Sequence, residues 1–251
     1  MIRQWRGALL VAALGGASLL PALPARAQTG LDPSFRLEVA TDHRRRGLSW
    51  SDGKAAVEGN VTLDLSRSLE IGLGATSLRQ SRRHGGADAG LDLGARYRRD
   101  LGPWMLSLGA TGHVFPGAAG LDYVEGDGSL SYDIGPARFH LGASYAPPQD
   151  SIGGDNLYLS LAADMGVPGT PLSIYGHIGR SSGRVEDAIR AARLRPQGRY
   201  WDHAVGLDYV MGRLATGLRY SGTSIGAVDP EGPYIDRHVG ERVVWSLRVA
   251  L

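Results

Sequence analysis

The sequence predicts an all-β protein: a 12-stranded antiparallel transmembrane β-barrel behind an N-terminal signal peptide. Three observations predict it. Apolar and polar residues alternate with period 2 along most of the chain, and successive side chains of a strand point to opposite faces. The alternating segments mostly run 9 to 12 residues, whereas soluble strands have about 5 or 6 and a tilted membrane-crossing strand needs roughly 9–11. The connections alternate short and long, the pattern of barrels with tight turns at one end and long loops at the other.

The first 27 residues are a separate object. Arg3 and Arg6 precede the apolar run "GALLVAALGGASLLPAL", which ends in Ala25-Arg26-Ala27. A charged start, an apolar middle and a small-residue site predict a signal peptide cut between Ala27 and Gln28. Residues 1–27 are then the leader and 28–251 the barrel. Losing Arg3, Arg6 and Arg26 leaves 24 basic residues against 25 acidic ones. This near-neutral balance removes the case for a nucleic-acid partner. No later stretch approaches the ~18 consecutive apolar residues of a membrane helix. The chain has no cysteine, so it holds no disulfide and no thiolate metal site.

Strands are expected at 34–42, 55–66, 68–78, 87–98, 103–114, 123–134, 137–146, 156–166, 171–180, 201–210, 213–221 and 241–251. The first sets Phe35, Leu37 and Val39 against Arg36. The second sets Val61, Leu63 and Leu65 against Thr62 and Asp64. The fourth sets Leu91, Leu93 and Tyr97 against Asp92 and Arg96; the fifth, Trp104, Leu106 and Leu108 against Ser107 and Thr111. In the last, "VVWSLRVAL", Val243, Trp245, Leu247, Val249 and Leu251 share one face. An apolar terminal residue there suits recognition by barrel-insertion machinery. Turns such as Gly135-Pro136 and Met211-Gly212 alternate with longer loops. An even strand count brings both termini to the short-turn side.

The aromatic residues follow the same scheme. Phe35, Tyr97, Trp104, Tyr132, Phe139 and Tyr209 fall on the apolar face at the short-turn end, and Tyr145, Trp201 and Tyr220 at the long-loop end. Two such girdles are expected where an apolar outer face meets lipid at both interfaces.

The polar face then lines the lumen. It carries Glu58, Asp64, Glu70, Asp127, Asp133, Asp164 and Asp208. Arg36, Arg219, Arg242 and Arg248 lie on strands that become neighbours on closure. The expectation is a basic wall opposite acidic ones, an arrangement that orients polar solutes. The alternative is that these charges pair across strands and plug a barrel that encloses little room.

The run "TDHRRRGLSWSDGK" continues the first strand upward. Alternation carried through it points Arg45 outward at a girdle position, with Asp42, Arg44 and Arg46 facing the mouth. These four residues are expected at the extracellular rim. With the loop arginines Arg79, Arg82, Arg83, Arg184, Arg190, Arg193, Arg195 and Arg199, they would suit the phosphates of lipopolysaccharide.

The same run resembles the opening motif of the TorF-type porin family of exported proteobacterial barrels, T-D-aromatic-x-F-R-G-x-S-Q-S-D. Thr41, Asp42, Arg46, Gly47, Ser49, Ser51 and Asp52 match it; His43, Arg45 and Trp50 depart from it. The order of later segments, from "GDGSLSYDIG" to the closing "RVVWSLRVAL", follows the family as well. The resemblance implies a barrel in the outer membrane and leaves the solute open.

An enzymatic reading would use "GRSSG", with Ser181 as nucleophile and a later base such as His203. Such an elbow needs a parallel sheet flanked by helices, which the strand pattern does not supply. No H-E-x-x-H or P-loop is present. The expected function is therefore non-enzymatic and cofactor-free. It is passive diffusion of small polar or ionic solutes through an outer-membrane porin, with the termini periplasmic. The partners would be outer-membrane lipids and lipopolysaccharide. The alternative is a closed barrel with a structural or surface-binding role through its long loops.

Overall fold

The structure, a computed structural model, describes residues 32–226 and 232–251. The leader, with the cleavage positions Ala27 and Gln28, lies outside the described residues. Strand β1 (Asp32–Ala40) is followed by two short strands, β2 (Arg44–Arg45) and β3 (Leu48–Ser49). Then come β4 (Ala56–Asp64), β5 (Leu69–Ser81), β6 (Ala87–Leu101), β7 (Trp104–Val114), β8 (Tyr123–Ile134) and β9 (Ala137–Gln149). The series continues with β10 (Gly154–Gly166), β11 (Leu172–Ser182), β12 (Tyr200–Met211), β13 (Leu214–Thr223) and β14 (Arg242–Ala250). One helical turn, α1 (Ala188–Ala191), lies between β11 and β12, its first turn capped by the Asp187 carboxylate.

The twelve long strands close into an antiparallel barrel in which each pairs with its sequence neighbours and β1 closes on β14. The closing seam pairs Arg36 with Ala250 and Val39 with Leu247. Phe35 and Leu251 exchange backbone hydrogen bonds of 3.1 and 2.9 Å, so both described ends of the barrel chain lie at the short-turn rim. Tight turns there place Gly102 and Gly135 at positive φ before Pro103 and Pro136.

Side chains divide as the alternation requires. Leu73, Leu93, Leu108, Leu141, Leu161, Val205 and Leu218 are all more than half exposed on the outer face. Trp104 and Tyr132 pack with ring centroids 4.5 Å apart in the girdle at the short-turn end. An apolar exterior of this extent has no place in water and fits the hydrocarbon of a bilayer. The inner face is polar and rich in glycine, and close packing uses those glycines. A Cβ on Gly179 would sit 2.1 Å from the Tyr158 hydroxyl, which only a residue without a side chain permits.

The apolar core lies outside the barrel interior. It sits at the long-loop end, where Trp50, Leu78, Phe115, Leu121, Tyr123 and Ile152 form one buried cluster. Leu48, Tyr200, Ile225 and Val239 form another. The loops thus pack into a cap with its own hydrophobic interior.

Facing is testable by charge insertion. Leu93→Arg, on the outer face, should destabilise the barrel by about 2–4 kcal/mol if it lies near the bilayer midplane. Ser129→Arg, on the inner face, should refold close to normally in lipid vesicles. Equal losses in urea titrations of the two variants would refute the assignment.

Candidate functional site: a plug folded into the barrel

The arginine run occupies the barrel interior. β1 ends at Ala40, which pairs with Ala56, so β1 and β4 close a neck beneath the segment between them. That segment turns inward as the hairpin β2–β3, with Arg44 opposite Ser49 and Arg45 opposite Leu48. Its two-residue turn is Arg46-Gly47, with φ of 51° and 74°. Positive φ at both positions is what a type I′ hairpin turn needs, and it costs a non-glycine residue about 1–2 kcal/mol. The conformation is held from outside: Arg46 pairs with Glu125, and the Tyr200 hydroxyl donates to the Arg46 carbonyl at 2.9 Å.

One buried carboxylate organises the hairpin. Asp42 is 1% exposed. Its Oδ1 accepts from the Ser49 hydroxyl at 2.6 Å and the Ser51 hydroxyl at 3.1 Å, and its Oδ2 accepts from Arg44 at 3.3 Å. The three arginines then diverge. Arg44 donates to the carbonyls of Gly47 and Gly240. Arg45 pairs with Asp92 on β6 and lies 4.4 Å over the Trp50 ring. Arg46 reaches both oxygens of Glu125 on β8, at 2.8 and 2.9 Å, and lies 4.6 Å over the Tyr158 ring. His43 pairs with Glu58 at 3.1 Å, and His113 bridges Asp92 and Glu125 at 2.7 and 3.5 Å.

This corrects the sequence-based placement of Asp42, Arg44, Arg45 and Arg46 at a rim. Alternation held Arg45 outward only on the premise that β1 continues past Ala40. The chain instead folds back, and Arg45 faces the lumen with its neighbours. Three loop arginines are corrected as well. Arg83, Arg193 and Arg195 are at most 1% exposed and serve as staples of the cap. Arg83 donates to the carbonyls of Ser49 and Arg193. Arg193 donates to those of Arg83, Leu121 and Ser151, and Arg195 to those of Asp155, Arg184 and Gly198. Burial pushes the Arg193 guanidinium down to about 10. Arg79, Arg82, Arg184 and Arg199 remain exposed.

The lumen charges are likewise paired with near neighbours rather than sorted into opposing walls. Glu70 meets Arg96 and Arg98, Asp64 meets Arg98, and Asp127 meets Arg96. Asp133 pairs with Arg138, Asp164 with His140, and Asp208 with Arg248. Arg242 donates to the Gly53 carbonyl and lies 3.8 Å from Asp42. Arg219 lies 4.9 Å over the Tyr175 ring. Of the expected basic wall, only Arg36 and Arg219 lack an ion pair among the described residues. The sequence places Asp92 and His113 on the polar face, but Glu38, Glu125, Tyr158, His177 and Asp202 were not among its expected lumen groups. Each sits on the polar face of its strand, so the signal was there in the alternation.

Ser181 is fully buried on the inner face of β11 and donates to Asn156 Oδ1 at 3.3 Å. His203 points outward from β12 beside Tyr220. The two do not meet. Asp52, Asp236 and His238 bring ligand-type atoms within 4.8 Å of one another in the cap. Lys54 is 3.0 Å from Asp52, and Arg83 is 3.9 Å from Asp236, so the two carboxylates already face cations.

A family model described as "Bacterial protein of unknown function (Gcw_chp)" matches residues 24–240, and the chain belongs to that family. No curated relative matches the sequence. Among solved structures, the chain is similar to the KdgM porin, at 7% identity and TM-score 0.55, over 86% of this chain and 97% of that one. It is similar to the NanC porin, at 12% identity and TM-score 0.54, over 88% and 99%. It is also similar to the COG4313 outer membrane channel from Pseudomonas putida F1, at 10% identity and TM-score 0.52, over 87% and 94%. The shared feature is the fold, that of outer-membrane porins and channels.

Two predictions follow from the plug and its cap. Asp42→Ala removes the acceptor of two hydroxyls and a guanidinium, and breaking such a buried pair costs about 3–5 kcal/mol. Trypsin should then cut at Arg44–Arg46 in a folded barrel that resists it when Asp42 is present. The second concerns pH. His84 in the cap lies 4.4 Å from the Trp50 ring and is 1% exposed. Burial, with Arg193 and Arg83 nearby, holds its imidazole well below the usual value. The unfolded cap takes up a proton near pH ~6.5 that the folded cap refuses. The stabilisation is therefore complete above that pH and is lost as pH falls below it. Thermal unfolding of the cap should show this acid loss, and His84→Gln should reduce it.

Proposed function

We propose that the chain is an outer-membrane channel of the porin kind, passing small polar or ionic solutes by passive diffusion. On this reading the inward hairpin is its constriction. The observation that carries it is the contrast between an apolar exterior and a lumen whose occupant is held by polar contacts to the wall. Such contacts exchange with water far more readily than a dry core does, which suits a path for hydrated solutes. The sequence resemblance to TorF-type barrels supports the same reading. On this reading the termini are periplasmic and the barrel-insertion machinery inserts the chain. Any contact with lipopolysaccharide would rest on the exposed Arg79, Arg82, Arg184 and Arg199. The reading is non-enzymatic.

A second reading has a specific observation in its favour. The cap is stapled by buried Arg83, Arg193 and Arg195, which suits a closed barrel with a structural or surface-binding role.

Planar-bilayer recording of the refolded protein separates the two. The channel reading predicts a small conductance that Asp42→Ala increases by loosening the constriction. It also predicts a shift of reversal potential toward cations when Arg219, Arg242 and Arg248 are replaced by Glu. The wild-type preference should be weak, because most lumen charges are already paired. Inserted protein that passes no current, with or without Asp42, would leave only the closed barrel.

A further inference from the structure

Beneath the hairpin lies a cavity of about 220 Å³, bounded by the plug and by the inner faces of β1, β4 and β11 to β14. It is smaller than the ~300–1,000 Å³ of sites for drug-sized ligands, so only a small molecule fits. Most charges of its lining meet complements, as Asp42 meets Arg44 and Glu58 meets His43, but two do not. Glu38 on β1 makes no hydrogen bond or ion pair among the described residues. Across the cavity, Arg219 on β13 is held against Tyr175 with no carboxylate partner. Asp202 on β12 is 1% exposed; its Oδ1 accepts from the Tyr158 hydroxyl at 3.2 Å and lies 3.6 Å from His177 Nδ1, while its Oδ2 is enclosed with no hydrogen-bond partner. Glu38 and Arg219 are thus opposite charges on one cavity with no ion pair to satisfy either, and together they mark a site shaped for a guest.

The charges of that guest follow from theirs. A simple anion would satisfy Arg219 and be opposed by Glu38 and Asp202. A simple cation would meet the reverse. A molecule carrying both signs a few atoms apart answers Arg219 and Glu38 together. Resting on the reading of the lumen as a solute path, we propose that this cavity is a subsite for small zwitterions of the α-amino acid class. The guest carboxylate lies on Arg219, and its ammonium is taken by Glu38.

The test is calorimetry on the protein refolded in detergent, with L-alanine as probe. Acetate and methylammonium serve as its single-charge halves, at fixed ionic strength. L-alanine should bind at least about tenfold tighter than either half, the discrimination one charge-assisted contact provides. Arg219→Gln should erase its advantage over methylammonium, and Glu38→Gln its advantage over acetate. Heat-modifiable gel mobility shows whether each variant is folded. If a variant fails to fold, comparison of the three probes on the wild-type protein still decides. Equal or unsaturable heats for all three probes would overturn the subsite. Bilayer recording keeps the two readings apart. Conductance without alanine binding removes the subsite and leaves the channel; binding without conductance does the opposite.

Discussion

The arrangement of the lumen depends on one buried carboxylate. Asp42 sits at the neck of the barrel with no access to water, and a charge so placed must find donors. Most of them come from its own segment: two hydroxyls, from Ser49 and Ser51, and the guanidinium of Arg44. To bring residues seven and nine positions away back to Asp42, the chain must reverse. The reversal is the Arg46-Gly47 turn. Gly47 is required there twice over, by its positive φ and because a Cβ would meet the Asp202 side chain at 2.7 Å. Once the hairpin is fixed, Arg45 and Arg46 are projected at the walls of β6 and β8. Those walls must then supply acids, which they do as Asp92 and Glu125.

The residues of the run from Thr41 to Asp52 therefore have a common physical meaning. Thr41 exchanges backbone and side-chain hydrogen bonds with Trp245 and anchors the entry. Asp42, Ser49 and Ser51 form the clamp, Arg46 and Gly47 form the turn, and Asp52 adopts a positive φ of 56° at the exit. In this chain the run builds the plug. The other residues of the run fit the same frame: Trp50 packs against Arg45 and His84, and His43 answers Glu58.

Much of the barrel was legible in the sequence, because strand facing is a local property with period 2. All twelve long strands, the girdles and the short-turn rim follow from it. The hairpin was not legible by that rule. "TDHRRR" alternates well enough to continue β1, and nothing local tells a strand that runs on from one that folds back. The sign was present in another form, a glycine after an arginine run flanked by Asp42 and two serines. The burial of Arg83, Arg193 and Arg195 was illegible for a different reason. Their acceptors are backbone carbonyls up to 110 residues away. The split into basic and acidic walls failed on register: Arg96, Arg98 and Arg138 sit beside the acids they neutralise, a fact about strand pairing that composition does not hold.

Pairing on this scale also locates where the lumen can act on a solute. Two charges in contact present a short-range dipole, and water with dissolved salt screens what remains within about 8 Å. A lumen lined by satisfied pairs therefore exerts little long-range pull on an ion. Its field is set by the groups that pairing leaves over. Arg36 lies near the short-turn rim, and Glu38 and Arg219 line the cavity under the hairpin. The plug and the leftover charges are linked through geometry. The hairpin fills the space above Glu38 and draws His43 onto Glu58. With Glu58 engaged, Glu38 is left as the carboxylate facing Arg219. The same fold-back that narrows the barrel thus decides which charges stay free inside it.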